Sequence, residues 1–187
     1  MNFIRKRIEK ALNNNELVCI CLNTINWNSR LIGYVKKIHL SDNLDFQIID
    51  EYGQKKDLKP VLFSTIKSLE IGGTYNKNID TLFKKEFLRN QTMPKYFSIK
   101  KQDLHKKLKE LKETKALCTF FFDTEFSIGI VEQITEDEFS ITNIAYDGTE
   151  DGISIFDIKM LTKIRTGSNF ESRILFLLKI ASSPRYS

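Results

Sequence analysis

Residues that could carry acid–base or metal chemistry are few in this sequence. The two histidines, His39 and His105, belong to no motif such as His-Glu-x-x-His, so neither has a chemical partner at a fixed spacing. The sequence also lacks a glycine-rich phosphate loop and a nucleophile elbow. We therefore expect a protein that is not an enzyme and that uses no cofactor and no metal.

Three cysteines offer a second kind of chemistry. Cys19 and Cys21 stand two residues apart, so in a strand their thiols would share one face and could bind a metal or form a redox pair. Two ligands on one strand are too few for a metal site, and an odd number of cysteines does not favour a disulfide framework. We expect Cys19, Cys21 and Cys118 to pack as small apolar core residues.

The segment Asp147–Gly152 begins like a calcium-binding loop, with Asp at its first and fifth positions and Gly at its sixth. Such a loop needs a bidentate Glu at its twelfth position, and that position is Ile158. The segment is better explained as the turn of a β-hairpin, because Asp and Gly are the residues that tight turns favour.

Charge is strongly segregated along the chain. The net charge is +5, but between Leu82 and Lys115 eleven Lys and Arg against four Asp and Glu leave +7. Between Asp123 and Asp157 there are ten Asp and Glu and no Lys or Arg. The basic segment could bind phosphates while its aromatic rings stack on bases, or it could be a solvated helix face. The candidate nucleic-acid or partner-binding residues are Lys84, Lys85, Arg89, Tyr96, Phe97, Lys100, Lys101, Lys106 and Lys107.

Two halves of the chain match each other. An offset of 95 residues places Gly53 on Gly148 and Gly72 on Gly167, and apolar positions match over the residues between and beyond them. The offset grows to 96 at Gly33, which meets Gly129, and to 99 where Cys19 would meet Cys118. The pattern predicts an internal duplication with small differences in loop length.

Each half shows the same order of predicted elements. An amphipathic helix comes first, with apolar residues at Ile4, Ile8 and Leu12 in one half and at Leu104, Leu108 and Leu111 in the other. Short β-branched and aromatic runs follow and predict strands. They are Leu17–Leu22, Leu31–Leu40, Leu44–Asp50 and Pro60–Ile71, then Leu117–Phe122, Phe126–Ile134, Glu138–Ile144 and Ile153–Arg165.

A further helical pattern closes each half, at Tyr75–Arg89 and Phe170–Ile180. We expect a mainly β protein with flanking helices, of class α+β, in which each sheet closes on itself to hide its edges. The predicted domains are a first helix–barrel–helix repeat at residues 1–90, a linker at 91–100 and a second repeat at 101–187.

The glycine-centred strands Leu31–Val35 and Ser127–Val131, with the closing runs Ile66–Leu69 and Ile158–Leu161, resemble Sm-like or SH3-like small barrels. The resemblance implies two tandem small barrels. For an Sm-like protein it also implies RNA contact by a loop asparagine, a position that Asn43 occupies. The Arg-Gly pair that the Sm family places before its last strand is missing from this chain.

The sequence favours a cytoplasmic, non-catalytic binding protein whose partner is another protein, such as an adaptor, a regulator or an immunity protein that inhibits a toxin. A dipolar charge pattern suits partners with complementary patches, and self-association through opposite faces is equally allowed. The alternative is RNA or DNA binding through the basic linker helices. No apolar run reaches the roughly 18 residues needed to span a bilayer, so we expect no membrane partner.

Overall fold

A computed structural model of the chain describes residues 3–22, 30–87, 95–97 and 103–182. Contacts between residues divide the chain into two compact units, Met1–Arg89 and Asn90–Ser187. Both units combine helices with one antiparallel sheet, so the expected α+β class is confirmed.

Unit 1 builds a five-stranded antiparallel sheet with strand order β4-β3-β2-β1-β5. In chain order its elements are α1 (Phe3–Asn14), β1 (Leu17–Cys21), β2 (Arg30–Ile38), β3 (Asn43–Ile49), β4 (Lys55–Leu62), a 3-10 turn (Phe63–Thr65), β5 (Ser68–Ile71) and α2 (Thr74–Lys84).

The two helices of unit 1 cover opposite faces of its sheet. The stripe of α1 that contains Ile8 packs with Val18 and Ile20 of β1, whereas Ile79 of α2 packs with Leu17. Alternate residues of a strand point to opposite faces, which is why one short strand serves both helices. All five residues of β1 are therefore buried.

Unit 2 repeats this order of elements with one additional strand at its start, and its sheet order is β10-β9-β8-β7-β11-β6. Its elements are β6 (Lys95–Phe97), α3 (Leu104–Glu113), β7 (Leu117–Phe122), β8 (Glu125–Ile134), β9 (Glu138–Ile144), β10 (Glu150–Asp157), a 3-10 turn (Ile158–Met160), β11 (Leu161–Thr166) and α4 (Asn169–Ala181).

The last predicted strand of each half is in fact two strands. A 3-10 turn interrupts it at Phe63–Thr65 in unit 1 and at Ile158–Met160 in unit 2. The turn buries its first side chain, Phe63 or Ile158, in the core. It also carries the chain across the sheet, from the strand beside β3 or β9 to the strand beside β1 or β7. Neither turn contains Gly or Pro, so the sequence gives no signal that the predicted strand is interrupted there.

Two further features concern the expected barrels and the expected linker. Among the described residues the strands at the two ends of each sheet order are not paired with each other, so both sheets are open and no closed barrel is found. Within the segment expected to be a linker, residues 95–97 form β6, which pairs with β11 through the register Phe97↔Ile164 and Tyr96↔Arg165.

The expected match between Cys19 and Cys118 is wrong by one residue. Gly33 pairs with Val18 and Gly129 pairs with Cys118, so Val18 holds the place of Cys118. Val18 and Cys118 both join the core beneath the first helix of their unit. The expectation that all three cysteines are free and buried is confirmed.

Gly53 and Gly148 make the same close approach in the two units. Each has a positive φ, +77° for Gly53 and +84° for Gly148. A Cβ on Gly53 would lie 2.6 Å from the backbone nitrogen of Phe83, and one on Gly148 would lie 2.5 Å from that of Leu178. In both units the β-hairpin turn thus packs directly on the backbone of the last helix, which only glycine permits.

Candidate functional site

The most distinctive surface of unit 2 is its edge strand β10. It follows β9 through the turn at Asp147–Thr149, where the backbone N–H of Thr149 donates to Oδ1 of Asp147 at 3.0 Å. This confirms the expected hairpin turn at this segment. β10 pairs with β9 alone, so its other side presents backbone N–H and C=O groups that no described strand covers.

Two isoleucines stand exposed on β10. Ile153 is 69% and Ile155 67% exposed, whereas Phe156 lies opposite the buried Phe139 of β9. The alternation of strand side chains therefore sends Phe156 to the core face and both isoleucines to the outer face of the sheet. Aliphatic side chains this exposed and this close together mark an interaction surface more often than scattered single ones do.

Carboxylates surround the exposed isoleucines. A groove of about 480 Å³ is lined by Ile153 and Ile155 together with Glu132, Glu138 and Glu150. No Lys or Arg occurs anywhere between residues 123 and 157, so this part of the chain supplies no cation to balance them. The groove joins an apolar centre to a negative rim.

The corresponding edge strand of unit 1, β4, has the opposite charge. Its sequence contains Lys55, Lys56 and Lys59 against Asp57. Leu58 and Leu62 are 55% and 51% exposed, and they share one face of the sheet because Leu58 lies opposite Gln47 and Leu62 opposite Asn43. Pro60 stands between them without a backbone N–H to donate.

The predicted basic residues fall in both units. In unit 1, Nζ of Lys84 lies 2.7 Å from Oδ2 of Asp80, one turn earlier on α2, and Lys85 is exposed at the end of that helix. A concavity of about 580 Å³ beside Lys84 is also lined by Lys55, Phe83, Phe87 and Glu86.

In unit 2, Lys106 is exposed on α3, while Lys107 is half-buried with its Nζ 2.8 Å from Oε1 of Glu110. Tyr96 and Phe97 belong to β6. The remaining predicted residues, Arg89, Lys100 and Lys101, lie outside the described residues. Asn43, the loop asparagine of the Sm comparison, is the first residue of β3.

Sequence reasoning missed a buried polar cluster at the start of α4. The carboxylate of Glu171 accepts hydrogen bonds from Nε of Arg165, from the hydroxyls of Thr119 and Ser168, and from the backbone N–H of Ser168. The spacing Ser168-x-x-Glu171 is that of a capping box and was the available signal. The hydrogen-bond partners of Glu171 all belong to unit 2, which indicates a structural role for the cluster.

All three cysteines are buried, and the thiols of two of them have a raised pKa. Burial raises the pKa of the Cys118 thiol to about 12 and is also the main reason that the pKa of Cys19 is raised. Over the part of the chain that the structure describes, no group of three or more His, Cys, Asp and Glu is arranged to hold a metal ion.

Comparison with known proteins returned no match to a family model, a curated protein or a solved structure. Among the described helices, none combines the length and the apolar character needed to cross a membrane. Inference about function therefore rests on the surfaces of the two units.

Proposed function

We propose that this chain is a non-catalytic binding protein that acts through protein–protein interaction, as an adaptor, a regulator or an inhibitor of the immunity-protein type. The observation that carries the proposal is the β10 edge, where two exposed isoleucines stand among carboxylates on a strand with one open side. The free, buried cysteines fit a reducing compartment, so we place the protein in the cytoplasm.

The β10 edge fits one mode of recognition. An extended segment of a partner can add to an open sheet edge, gaining main-chain hydrogen bonds along the strand and pockets for alternate side chains. Ile153 and Ile155 would contact every second side chain of such a segment, because they alternate with core residues. Glu132, Glu138 and Glu150 line the same groove and select for Lys or Arg in the partner.

The first experiment titrates the protein with a fluorescent eight-residue peptide in which valine and lysine occupy successive positions of one strand face, with serine between them, and follows anisotropy. We expect saturable binding that weakens as salt is raised, because ion pairs at an exposed rim are screened. The same peptide with a central proline should bind more weakly, because proline removes a ladder hydrogen bond.

The matched variants are Ile155→Lys and Met160→Lys. Met160 is 57% exposed and lies just beyond β10, so its substitution changes charge and apolar area to a similar extent without touching the groove. Ile155→Lys should lower peptide affinity about tenfold or more, while Met160→Lys stays near wild type. Equal loss in both variants, or no binding by the wild type, contradicts the proposal.

For the fold we propose a tandem duplication of a small unit related to the Sm-like and SH3-like barrels, in which the β4 and β10 edges stay unpaired among the described strands. The shared order of elements, the same strand order within each sheet and the paired close approaches of Gly53 and Gly148 support it. A fold analogy of this kind carries no function by itself.

Nucleic-acid binding is the second candidate function. The concavity at the end of α2 brings Lys55 and Lys84 beside Phe83 and Phe87, a combination of cations and rings that suits stacked bases. Glu86 in the same lining and the Lys84–Asp80 pair weaken its positive field. Anisotropy of labelled single-stranded RNA and duplex DNA at two salt concentrations tests it, since phosphate binding falls steeply with salt. Tight, salt-sensitive binding that Lys55→Glu removes would favour this function.

A further inference from the structure

The edge strands of the two units are complementary to each other. β4 carries three Lys and one Asp, and β10 carries Glu150, Asp151 and Asp157 without a basic residue. β4 and β10 occupy equivalent positions at one edge of their sheets. Among the described strands, β4 pairs only with β3 and β10 only with β9. The chain therefore holds one negative edge and one positive edge.

The apolar residues of these edges are also placed alike. Leu58 and Leu62 of β4 point away from the core-facing Val61, as Ile153 and Ile155 of β10 point away from Phe156. If the two edges were joined antiparallel into one continuous sheet, the leucines and isoleucines would lie on one face side by side. Cross-strand aliphatic pairs and opposite charges both stabilise neighbouring strands.

We propose that β4 of one copy of this chain pairs with β10 of a second copy, so that the protein associates head to tail. The proposal rests on the proposed function of the β10 edge and names its partner segment. Pro60 has no backbone N–H, so β4 can form one hydrogen bond fewer with β10 than a strand without proline would. We therefore expect a weaker association than between two strands that lack proline.

Head-to-tail contacts use two different surfaces, so a pair of bound copies still offers one free β4 and one free β10. Such contacts form a ring when the rotation between copies closes and an open chain of copies when it does not. In either case the average mass must rise with protein concentration, and salt must oppose the rise because the charges lie at exposed edges.

The test uses two charge-reversed variants of the full chain. The first is Lys55→Glu with Lys59→Glu, which makes both edges acidic; Lys56 is kept because its Nζ lies 3.1 Å from Oδ2 of Asp50. The second is Glu150→Lys with Asp151→Lys, which makes both edges basic; Asp157 is kept because its Oδ1 accepts the backbone N–H of Lys159.

Sedimentation equilibrium is measured for the wild type, for each variant and for their equimolar mixture. The wild type should associate with rising concentration, each variant alone should associate about tenfold more weakly or not at all, and the mixture should recover association because acidic edges again meet basic ones. Recovery in the mixture also shows that both variants are folded.

A wild type that stays monomeric at every concentration, or a mixture no better than its components, overturns the head-to-tail proposal. The lysine–valine peptide is titrated into the same samples. If the peptide binds while the wild type remains monomeric, only the self-pairing is overturned. If neither occurs, the proposed function of the β10 edge fails with it.

Discussion

The carboxylate of Glu171 accepts a hydrogen bond from Nε of Arg165 at 2.7 Å, and the two side chains differ sharply in exposure, 2% for Glu171 against 23% for Arg165. Burial alone would raise the pKa of Glu171. The hydroxyls of Ser168 and Thr119 and the guanidinium of Arg165 outweigh burial and hold the pKa below its ordinary value. The carboxylate is thus charged, buried and fully surrounded by donors, and it ties α4 to β7 and β11.

Glu171→Gln should destabilise unit 2. The substitution keeps the shape of the side chain but removes the charge that its donors surround, and it places an amide N–H₂ among groups that already donate. We expect a loss of about 3 kcal/mol in the free energy of unfolding, measured by urea denaturation. Glu113→Gln, at an exposed carboxylate on α3, is the control and should change stability by less than about 0.5 kcal/mol. Equal stability of the two variants would contradict this role.

The same carboxylate predicts a pH dependence. The pKa of Glu171 in the folded protein lies below its ordinary value of 4.5. At a pH between the folded and unfolded pKa values, the folded state therefore binds fewer protons than the unfolded state. The stabilising effect of Glu171 is therefore complete above the unfolded pKa and is lost as pH falls through the folded pKa. The stability difference between wild type and Glu171→Gln should be constant near neutral pH and shrink below about pH 4. A difference that does not change with pH would contradict the charged state assigned to Glu171.

Gly148→Ala should weaken the contact between the β9–β10 turn and α4. An added Cβ would lie 2.5 Å from the backbone nitrogen of Leu178, and the φ of +84° disfavours any L side chain. We expect a loss of about 2 kcal/mol or more, measured by thermal or urea unfolding. Gly53→Ala should behave alike in unit 1.

Gly73→Ala is the control for both, because its added Cβ meets no atom within 4 Å and its φ is −64°. It should leave stability within about 0.5 kcal/mol of wild type. If Gly73→Ala were as damaging as Gly148→Ala, the loss could not be assigned to the close approach of turn and helix.

The cysteines should resist alkylation in the folded protein. All three are buried, and the raised pKa values of Cys19 and Cys118 keep those thiols protonated, whereas iodoacetamide reacts with the thiolate. Intact mass spectrometry should show no adduct at about pH 8 in buffer and three adducts in denaturant. An adduct on Cys118 in the folded state would show that β7 opens more readily than its core position implies.

Much of the fold could be predicted because the sequence repeats its own signals. The apolar spacing of Ile4, Ile8 and Leu12 marks α1, and Gly53 and Gly148 mark equivalent turns. The division of Pro60–Ile71 into β4 and β5 was missed, because Phe63 reads as one more strand residue although it turns inward. The one-residue error at Cys118 arose because residue identity favours a match with Cys19, whereas the pairing of each strand with its glycine places Val18 at the equivalent position.

The candidate edge was harder to predict than the fold. Ile153 and Ile155 alternate with Ser154 and Phe156, so either set could have faced the core. Pairing with Ile141 and Phe139 decides that Ser154 and Phe156 do. The opposite charges of β4 and β10 were visible in the sequence, but their meaning depends on both strands being sheet edges, which is a property of topology.

The three-residue strand β6 bears on where unit 2 can be cut from the rest of the chain. It completes the sheet beside β11 yet precedes α3, so a fragment beginning at Asp103 would leave the backbone of Ile164–Thr166 without its neighbour. That new edge would be free to pair with other fragments, and aggregation of such a fragment would say little about the intact protein. Fragments intended for separate study should therefore begin upstream of Lys95.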